Sequence, residues 1–272
     1  MLMIYIAISL GILGLCAGSF IQAFVWRLRN KRNWVSERSE CEFCHHKLGA
    51  LDLIPVVSWL SLRGRCRYCD KPLSPSYPLV ELATGALFVL SYAYWPLALN
   101  DVGLVIHFGL WLVFCTMLVG LFLYDLKWYL LPDAFTYPLI GLGLIDAILR
   151  LVWIEQATTA QAILAIVLSL APLAGFYGLL YMVSRGKWVG LGDVKLGVFM
   201  GLVLGWQGAL LTLFIANVLG TLVVLPGLLA RKLTRQSRVP FGPFMIAAFV
   251  LVGLFGQAVI HAYLDGYLSL MR

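Results

Sequence analysis

Long apolar runs separated by short polar stretches dominate the chain. A helix needs about 20 apolar residues to cross a hydrocarbon core about 30 Å thick, and about eight runs come near that length. The sixth run is short and its boundary with the seventh, Gly205-Trp206-Gln207-Gly208, is weak, so seven spans are the alternative. The runs cover residues 2–25, 78–95, 102–124, 134–154, 161–183, 195–207, 208–230 and 241–264.

The composition agrees with a membrane protein. Of the 272 residues, 61% are hydrophobic and only 12% are charged, and the mean hydropathy is +0.91. The first run lacks a basic n-region and a small-residue cleavage site before Trp26, which favours a retained helix over a signal peptide. We predict an all-α polytopic membrane protein with a first helix at 1–25, a small zinc-binding loop domain at 26–77 and a transmembrane region at 78–272.

Positive charge is distributed unevenly along the chain. Of the 20 Lys and Arg residues, 18 lie in or directly beside four polar stretches: 26–77, 125–133, 184–194 and 231–240. Because Lys and Arg collect in cytoplasmic loops, this pattern predicts that these stretches face the cytoplasm and that both termini are periplasmic. The net charge of +7 is then a feature of membrane topology, and no nucleic-acid partner is predicted.

The loop at 26–77 carries two C-x-x-C pairs, which are Cys41 with Cys44 and Cys66 with Cys69. This spacing is typical of a tetrahedral four-cysteine zinc site, and a metal would stabilise a loop that has few apolar groups to bury. Two alternatives remain open, a pair of disulfides and no cross-link. A reducing cytoplasm disfavours disulfides. We predict a structural Zn²⁺ bound by the four cysteines.

Two aspartates stand at the ends of apolar runs. Asp193 follows Gly190 and Gly192 at the start of the sixth run, and Asp125 follows the third. A carboxylate at membrane depth is costly and calls for a functional reason. The predicted topology puts both aspartates at the same depth on the cytoplasmic side, so we expect them to form a pair.

Two further acids are candidates for supporting roles. Asp133 follows Pro132, which ends a helix, so Asp133 is predicted to support the site or to cap the next helix. Glu81 lies near the start of the second run, where the helix dipole favours an acid. Glu81 is also a candidate for binding a cation or an amine.

Two carboxyl groups within hydrogen-bond reach share one proton. The ionised member can activate a water molecule while the protonated member donates to the carbonyl oxygen under attack. This chemistry hydrolyses a peptide bond without a metal or a covalent nucleophile. The pair of Asp125 and Asp193 therefore predicts an aspartic peptidase.

Together these residues resemble the type 4 prepilin peptidases, which are GxGD-type intramembrane aspartic proteases. The motifs that carry the resemblance occur in order along nearly the whole chain. They are Gly18-Ser-Phe20, the paired Cys-x-x-Cys, Ile54-Pro-Val-Val-Ser-Trp59, Gly64-Arg-Cys66, Tyr77-Pro-Leu-Val-Glu81, Asp125, Leu131-Pro-Asp133, Gly190-Leu-Gly-Asp193 with Lys195, and Pro240-Phe-Gly-Pro243.

The resemblance implies that Asp125 and Asp193 are catalytic and that Gly190, Gly192, Lys195, Asp133 and Glu81 support them. It implies a prepilin or type II secretion pseudopilin as substrate, cut on the cytoplasmic side of the bacterial inner membrane after a glycine and ahead of a hydrophobic helix. It also implies N-methylation of the new amino terminus with S-adenosylmethionine, an activity associated with the cysteine-bearing loop.

No glycine-rich fingerprint marks a binding site for the methyl donor. The region near Gly18 and Glu81 is the only suggestion that the sequence offers. Two other functions are alternatives. A proton-coupled transporter would use the acids as a relay, but no internal repeat is apparent. A non-enzymatic assembly factor with a zinc loop leaves the acid pair unexplained.

Overall fold

A computed structural model describes residues 1–33, 37–232, 234 and 239–270, the last seven as backbone only. The described chain is helical, with two isolated β-bridges and no strand. The helices are α1 (Leu2–Arg29), α2 (Val57–Ser61), α3 (Ser76–Ala93), α4 (Val102–Trp128), α5 (Asp133–Ile148), α6 (Thr159–Leu170), α7 (Phe176–Ser184), α8 (Leu191–Leu229) and α9 (Gly242–Leu270). A 3₁₀ turn covers Ala50–Leu53, and π-helical turns cover Leu149–Ile154 and Ala171–Gly175.

All eight predicted apolar runs are helical. Within the described residues, six helical segments are long and apolar enough to cross a membrane: Leu2–Arg29, Val102–Trp128, Asp133–Ile154, Thr159–Ser184, Leu191–Leu229 and Gly242–Tyr263. One of these segments, Leu191–Leu229, is the helix α8 and covers both the sixth and the seventh predicted runs. Between the two runs, Gly205 has φ 70° and ψ 177°, which interrupts the helical backbone. The second run forms the 18-residue helix α3, which lies outside these six segments.

The chain divides into two compact units. The first contains Met1–Ala93 and Leu112–Leu123. In this unit α1 packs along α3, and small residues allow the close approach. A Cβ added to Gly14 would lie 2.8 Å from the Cα of Gly85, and one added to Gly18 would lie 2.8 Å from the Cα of Glu81. The α1 glycines therefore bring the C-terminal half of α1 against the first half of α3.

The second unit contains Tyr94–Trp111 and Tyr124–Arg272. The long helix α8 packs against α5, α6, α7 and α9. Its fully buried Phe199 lies 5.3 Å from Phe249 of α9, measured between ring centroids, and Phe249 stacks on Trp111 at the same distance. This aromatic core fixes the helices whose ends carry the two aspartates.

Candidate functional site

Asp125 lies in the last turn of α4. The helix ends at Trp128, and Tyr129 adopts a left-handed conformation with φ 56° that turns the chain toward α5. The Asp125 side chain is buried, and its Oδ2 accepts a hydrogen bond of 3.1 Å from the backbone N–H of Gly242. Gly242 is the first residue of α9, so the positive end of that helix faces the carboxylate.

Asp193 lies in the first turn of α8. Its Oδ2 accepts a hydrogen bond of 3.1 Å from the backbone N–H of Gly190, which is the N-cap residue of that helix. Gly192 is packed against Leu131, because an added Cβ would lie 2.8 Å from the Leu131 Cβ. The second glycine of the motif thus makes room for a side chain of the α4–α5 connection.

The structure brings the two aspartates into one site. Leu131 touches Gly192 on one side, and its Cδ2 lies 3.3 Å from the Cβ position of Gly242 on the other. The negative charge of Asp125 acts on the Asp193 carboxyl group. Two carboxyl groups at one site are the arrangement that can supply both an acid and a base.

Lys195 and Asp133 form an ion pair beside this site. The Lys195 Nζ lies 2.6 Å from Asp133 Oδ1, and it also lies 4.4 Å from the centroid of the Tyr137 ring. The N-capping role predicted for Asp133 is wrong, since Asp133 is the first residue of α5 and the cap position belongs to Pro132, which has no side-chain donor or acceptor. The pair connects the starts of α5 and α8.

Tyr177 of α7 is a neighbour of Asp193 that the sequence did not predict. It is buried, its hydroxyl oxygen accepts a hydrogen bond of 3.4 Å from Asn217 Nδ2, and the charge of Asp193 acts on it. Its ring contacts Phe241 edge to face at 5.7 Å. A tyrosine inside an apolar run is common, so nothing in the sequence indicated that Tyr177 lies near Asp193.

The four loop cysteines converge. Their Sγ atoms all lie within 4.8 Å of one another, and the Sγ atoms of Cys41 and Cys69 are 3.9 Å apart. Zn–S bonds of about 2.3 Å in a tetrahedron require S···S distances of roughly 3.8 Å, so the thiols fit zinc. All four are free cysteines, and no disulfide joins them.

The two C-x-x-C pairs have the same local geometry. A β-bridge joins Glu40 to Lys47 around the first pair, and another joins Arg65 to Pro72 around the second. The residue after each second cysteine, His45 and Asp70, has a φ of 56°. Such a repeated tight turn directs two thiols of each pair to one point, as zinc knuckles require.

The electrostatics of the cluster favour a thiolate at Cys41 and a neutral thiol at Cys69, where the Lys71 backbone lowers the pKa but burial and the three neighbouring thiols raise it to about 12. Burial alone would raise the pKa of the Cys41 thiol, but the backbone N–H groups of Cys44 and Phe43 and the neighbouring thiols of Cys66 and Cys44 lower that pKa to about 7. Thiolates are the form that binds metal. The nearby histidines have other partners, since His45 Nδ1 lies 3.3 Å from Glu40 and His46 stacks on Tyr68 at 3.6 Å.

Glu81 belongs to the first unit and contacts the loop. Its Oε2 accepts a hydrogen bond of 2.7 Å from the backbone N–H of Val56, which has the unusual φ of 62° for a β-branched residue. Glu81 lines a cavity together with Ser19 and Gln22 of α1. The two regions that the sequence suggested for the methyl donor therefore meet at one cavity.

These features define a polytopic helical membrane protein with an interacting pair of carboxylates at helix ends and a four-thiol cluster in a loop. Residues 112–225 match the type IV leader peptidase family, and residues 12–95 match the bacterial peptidase A24 N-terminal domain. The chain belongs to the type IV leader peptidase family, which confirms the resemblance seen in the sequence.

Curated relatives cover most of the chain and carry the name prepilin leader peptidase/N-methyltransferase. The protein of Stutzerimonas stutzeri is 31% identical over 93% of this chain and 92% of its own length. That of Aeromonas hydrophila is 32% identical over 87% and 78%, and that of Burkholderia pseudomallei (strain K96243) is 32% identical over 90% and 84%. No solved structure gives a significant match. The transporter and assembly-factor alternatives find no support in these relatives.

Proposed function

We propose that the protein is a bifunctional enzyme that cleaves the leader of a prepilin or pseudopilin and then methylates the new amino terminus. The observation that carries the peptidase is the pair of Asp125 and Asp193, each held by a backbone N–H and each within the electrostatic reach of the other. The names of the relatives supply the substrate class and the second activity.

In the proposed reaction, the ionised aspartate removes a proton from a water molecule as the water oxygen attacks the scissile carbonyl carbon. The protonated aspartate donates to the carbonyl oxygen. When the tetrahedral centre collapses, the C–N bond breaks and the amine leaves with a proton. The pair thus supplies both acid and base, and peptide hydrolysis uses no metal.

The substrate that fits this site has a short basic leader, a glycine before the cut and a hydrophobic helix after it. Such a helix lies in the bilayer, where the apolar helices of this protein also lie. We place the protein in the bacterial inner membrane with both termini periplasmic and the aspartate pair toward the cytoplasm, because the Lys and Arg residues concentrate in the loops on that side.

The loop domain at 26–77 is proposed to serve methylation and the region at 78–272 to serve cleavage. Cys41, Cys44, Cys66 and Cys69 would hold a structural Zn²⁺ that fixes the loop, and S-adenosylmethionine would supply the methyl group. Asp133 and Lys195 are proposed to fix the starts of α5 and α8 near the pair.

The test is mass spectrometry of a prepilin incubated with the purified protein and S-adenosylmethionine. The proposal predicts loss of the leader mass and the gain of one methyl group on the mature amino terminus. A transporter or an assembly factor would leave the prepilin mass unchanged, and that result would contradict the proposal. Cleavage without methylation would contradict only the proposed methyltransferase activity.

A further inference from the structure

The aspartate pair makes no use of the cavity in the first unit. This cavity lies among the inner end of α1, the loop and the first turns of α3. Its wall includes Cys41 and Cys66, one cysteine from each C-x-x-C pair. The cavity is therefore formed in part by the segment that the thiol cluster holds in place.

Acidic side chains in the wall differ in their partners. Glu37 and Glu40 form ion pairs with Arg32, and Asp52 Oδ1 lies 2.7 Å from Arg67 Nε. Glu42 accepts a hydrogen bond of 2.8 Å from the Tyr77 hydroxyl group.

Glu81 differs from these acids. Only 7% of its surface is exposed, and its partner is the neutral N–H of Val56. No ion pair joins it to a Lys, Arg or His among the residues that the structure describes. A buried carboxylate without a counter-charge is costly, so a cationic ligand would satisfy it.

Aromatic and basic side chains complete the wall. Trp26, Trp59, Tyr68 and Tyr77 all line the cavity. Aromatic faces attract cations and stack on planar heterocycles. Arg27 also lines the cavity, where its guanidinium donates to Ser39 Oγ at 3.2 Å. The wall thus offers a carboxylate that can bind a cation, aromatic faces that can stack on a heterocycle, and a guanidinium that can bind a carboxylate.

We propose that this cavity binds S-adenosylmethionine with its sulfonium toward Glu81. The inference rests on the methyltransferase part of the proposed function and assigns its donor site. The sulfonium, the adenine ring and the amino-acid carboxylate correspond to the three kinds of group in the wall. Glu81 is a binding residue here, and Trp59 and Tyr77 provide aromatic surface.

The charge of the ligand changes during the reaction. The lone pair of the substrate amine forms the new N–C bond as the C–S bond breaks, and the bonding electrons stay on sulfur. The amine loses one proton to solvent. The donor is a sulfonium and the product, S-adenosylhomocysteine, is a neutral thioether, so Glu81 favours binding of the donor over retention of the product.

This difference in charge supplies the test. Binding of labelled S-adenosylmethionine and S-adenosylhomocysteine is measured by equilibrium dialysis on the full-length protein, without any turnover. We expect the wild type to bind the sulfonium roughly tenfold more tightly than the thioether, because the Glu81 carboxylate attracts the positive charge that only the sulfonium carries. Glu81→Gln keeps an acceptor for Val56 N–H but removes the charge, and should abolish this preference.

Two variants control the measurement. Glu37→Gln removes a charge from the same cavity wall, but Glu37 is exposed and already paired with Arg32, so the preference should stay within about twofold of wild type. Glu81→Asp keeps the charge and should keep a preference for the sulfonium even if binding is weaker.

The assignment would be overturned if Glu81→Gln still preferred the sulfonium over the thioether as strongly as the wild type does. It would also be overturned if the substitution weakened binding of both ligands by the same factor, since the preference would then be unchanged. The new ammonium of the pilin is the other cation that Glu81 could bind. In that case Glu81→Gln raises the KM for a pre-cleaved peptide and leaves the preference unchanged, which also contradicts the assignment. In either case the wild-type protein would still cleave and methylate a prepilin. The binding measurement can therefore contradict the assigned donor site without contradicting the proposed function.

Discussion

The loop cluster and the aspartate pair are stabilised in different ways. Among the described residues from Lys31 to Tyr77, only Cys41, Gly64 and Cys66 are buried, so the loop is organised around the thiols. The aspartates stand at the ends of helices whose cores are fully packed, with Phe199 and Phe249 inaccessible to solvent. One region depends on a few ligand atoms, and the other on the positions of whole helices.

This difference predicts how each region fails. Loss of one ligand should unfold the loop, because little apolar burial remains to hold it. Loss of one contact near the aspartates should instead displace the carboxylates within an intact helical core. Substitutions at Cys41, Gly242 and Lys195 test that contrast, in order of decreasing expected effect.

The largest effect outside the aspartate pair should come from Cys41→Ser. We expect zinc content to fall from about one ion per chain to nearly none, and methylation to fall at least about 100-fold, because the loop loses its cross-link. Metal analysis and mass spectrometry of a pre-cleaved peptide measure the two effects. Cys16→Ser is the matched control, since Cys16 lies in α1 outside the cluster. A Cys41→Ser protein with full zinc content would contradict the account.

A smaller effect is expected from Gly242→Ala. The added Cβ would lie 2.6 Å from Asp125 Oδ2, so the carboxylate must move. Misplacement of a reacting group by about 1 Å can cost on the order of 100-fold, and we expect cleavage to fall roughly 10- to 100-fold. Gly141→Ala is the control, because nothing lies within 4 Å of its added Cβ. Equal cleavage rates for the two variants would show that Gly242 does not position Asp125.

The smallest effect should come from the ion pair of Lys195 and Asp133. The Asp133 side chain is 60% exposed, and exposed ion pairs of this kind contribute little because solvent screens them. Lys195→Met should therefore reduce cleavage less than about fivefold. Adding Asp133→Asn to that variant should cause no further loss if the two residues act only on each other. A loss above about 100-fold would instead indicate direct participation of Lys195 in the reaction.

The sequence predicted the features that depend on local spacing or on topology. The apolar runs predicted every long helix, and the C-x-x-C spacing predicted the thiol cluster. The distribution of Lys and Arg predicted that Asp125 and Asp193 share a site, and the two are near enough for the charge of one to act on the other. Features that depend on contacts between distant segments were not predicted. The hydrogen bond from Gly242 to Asp125 joins residues 117 positions apart.

The same limit applies to Glu81 and to Asp133. The helix dipole explained an acid near the start of α3, but the contact with Val56 depends on a left-handed residue in the loop. The position after Pro132 suggested a capping role for Asp133, whereas packing of α5 against α8 places Lys195 within reach. The sequence also contained no sign of the α9 terminus that faces the Asp125 carboxylate.

Cleavage of a prepilin by Asp125→Asn and Asp193→Asn tests the central claim most directly. Asparagine keeps the size and the hydrogen-bond acceptor of each side chain but cannot share a proton. The account predicts that each variant loses cleavage by at least about 1,000-fold, a typical contribution of general acid–base chemistry, while methylation of a pre-cleaved peptide stays within about twofold. Cleavage at the wild-type rate by either variant would contradict the account.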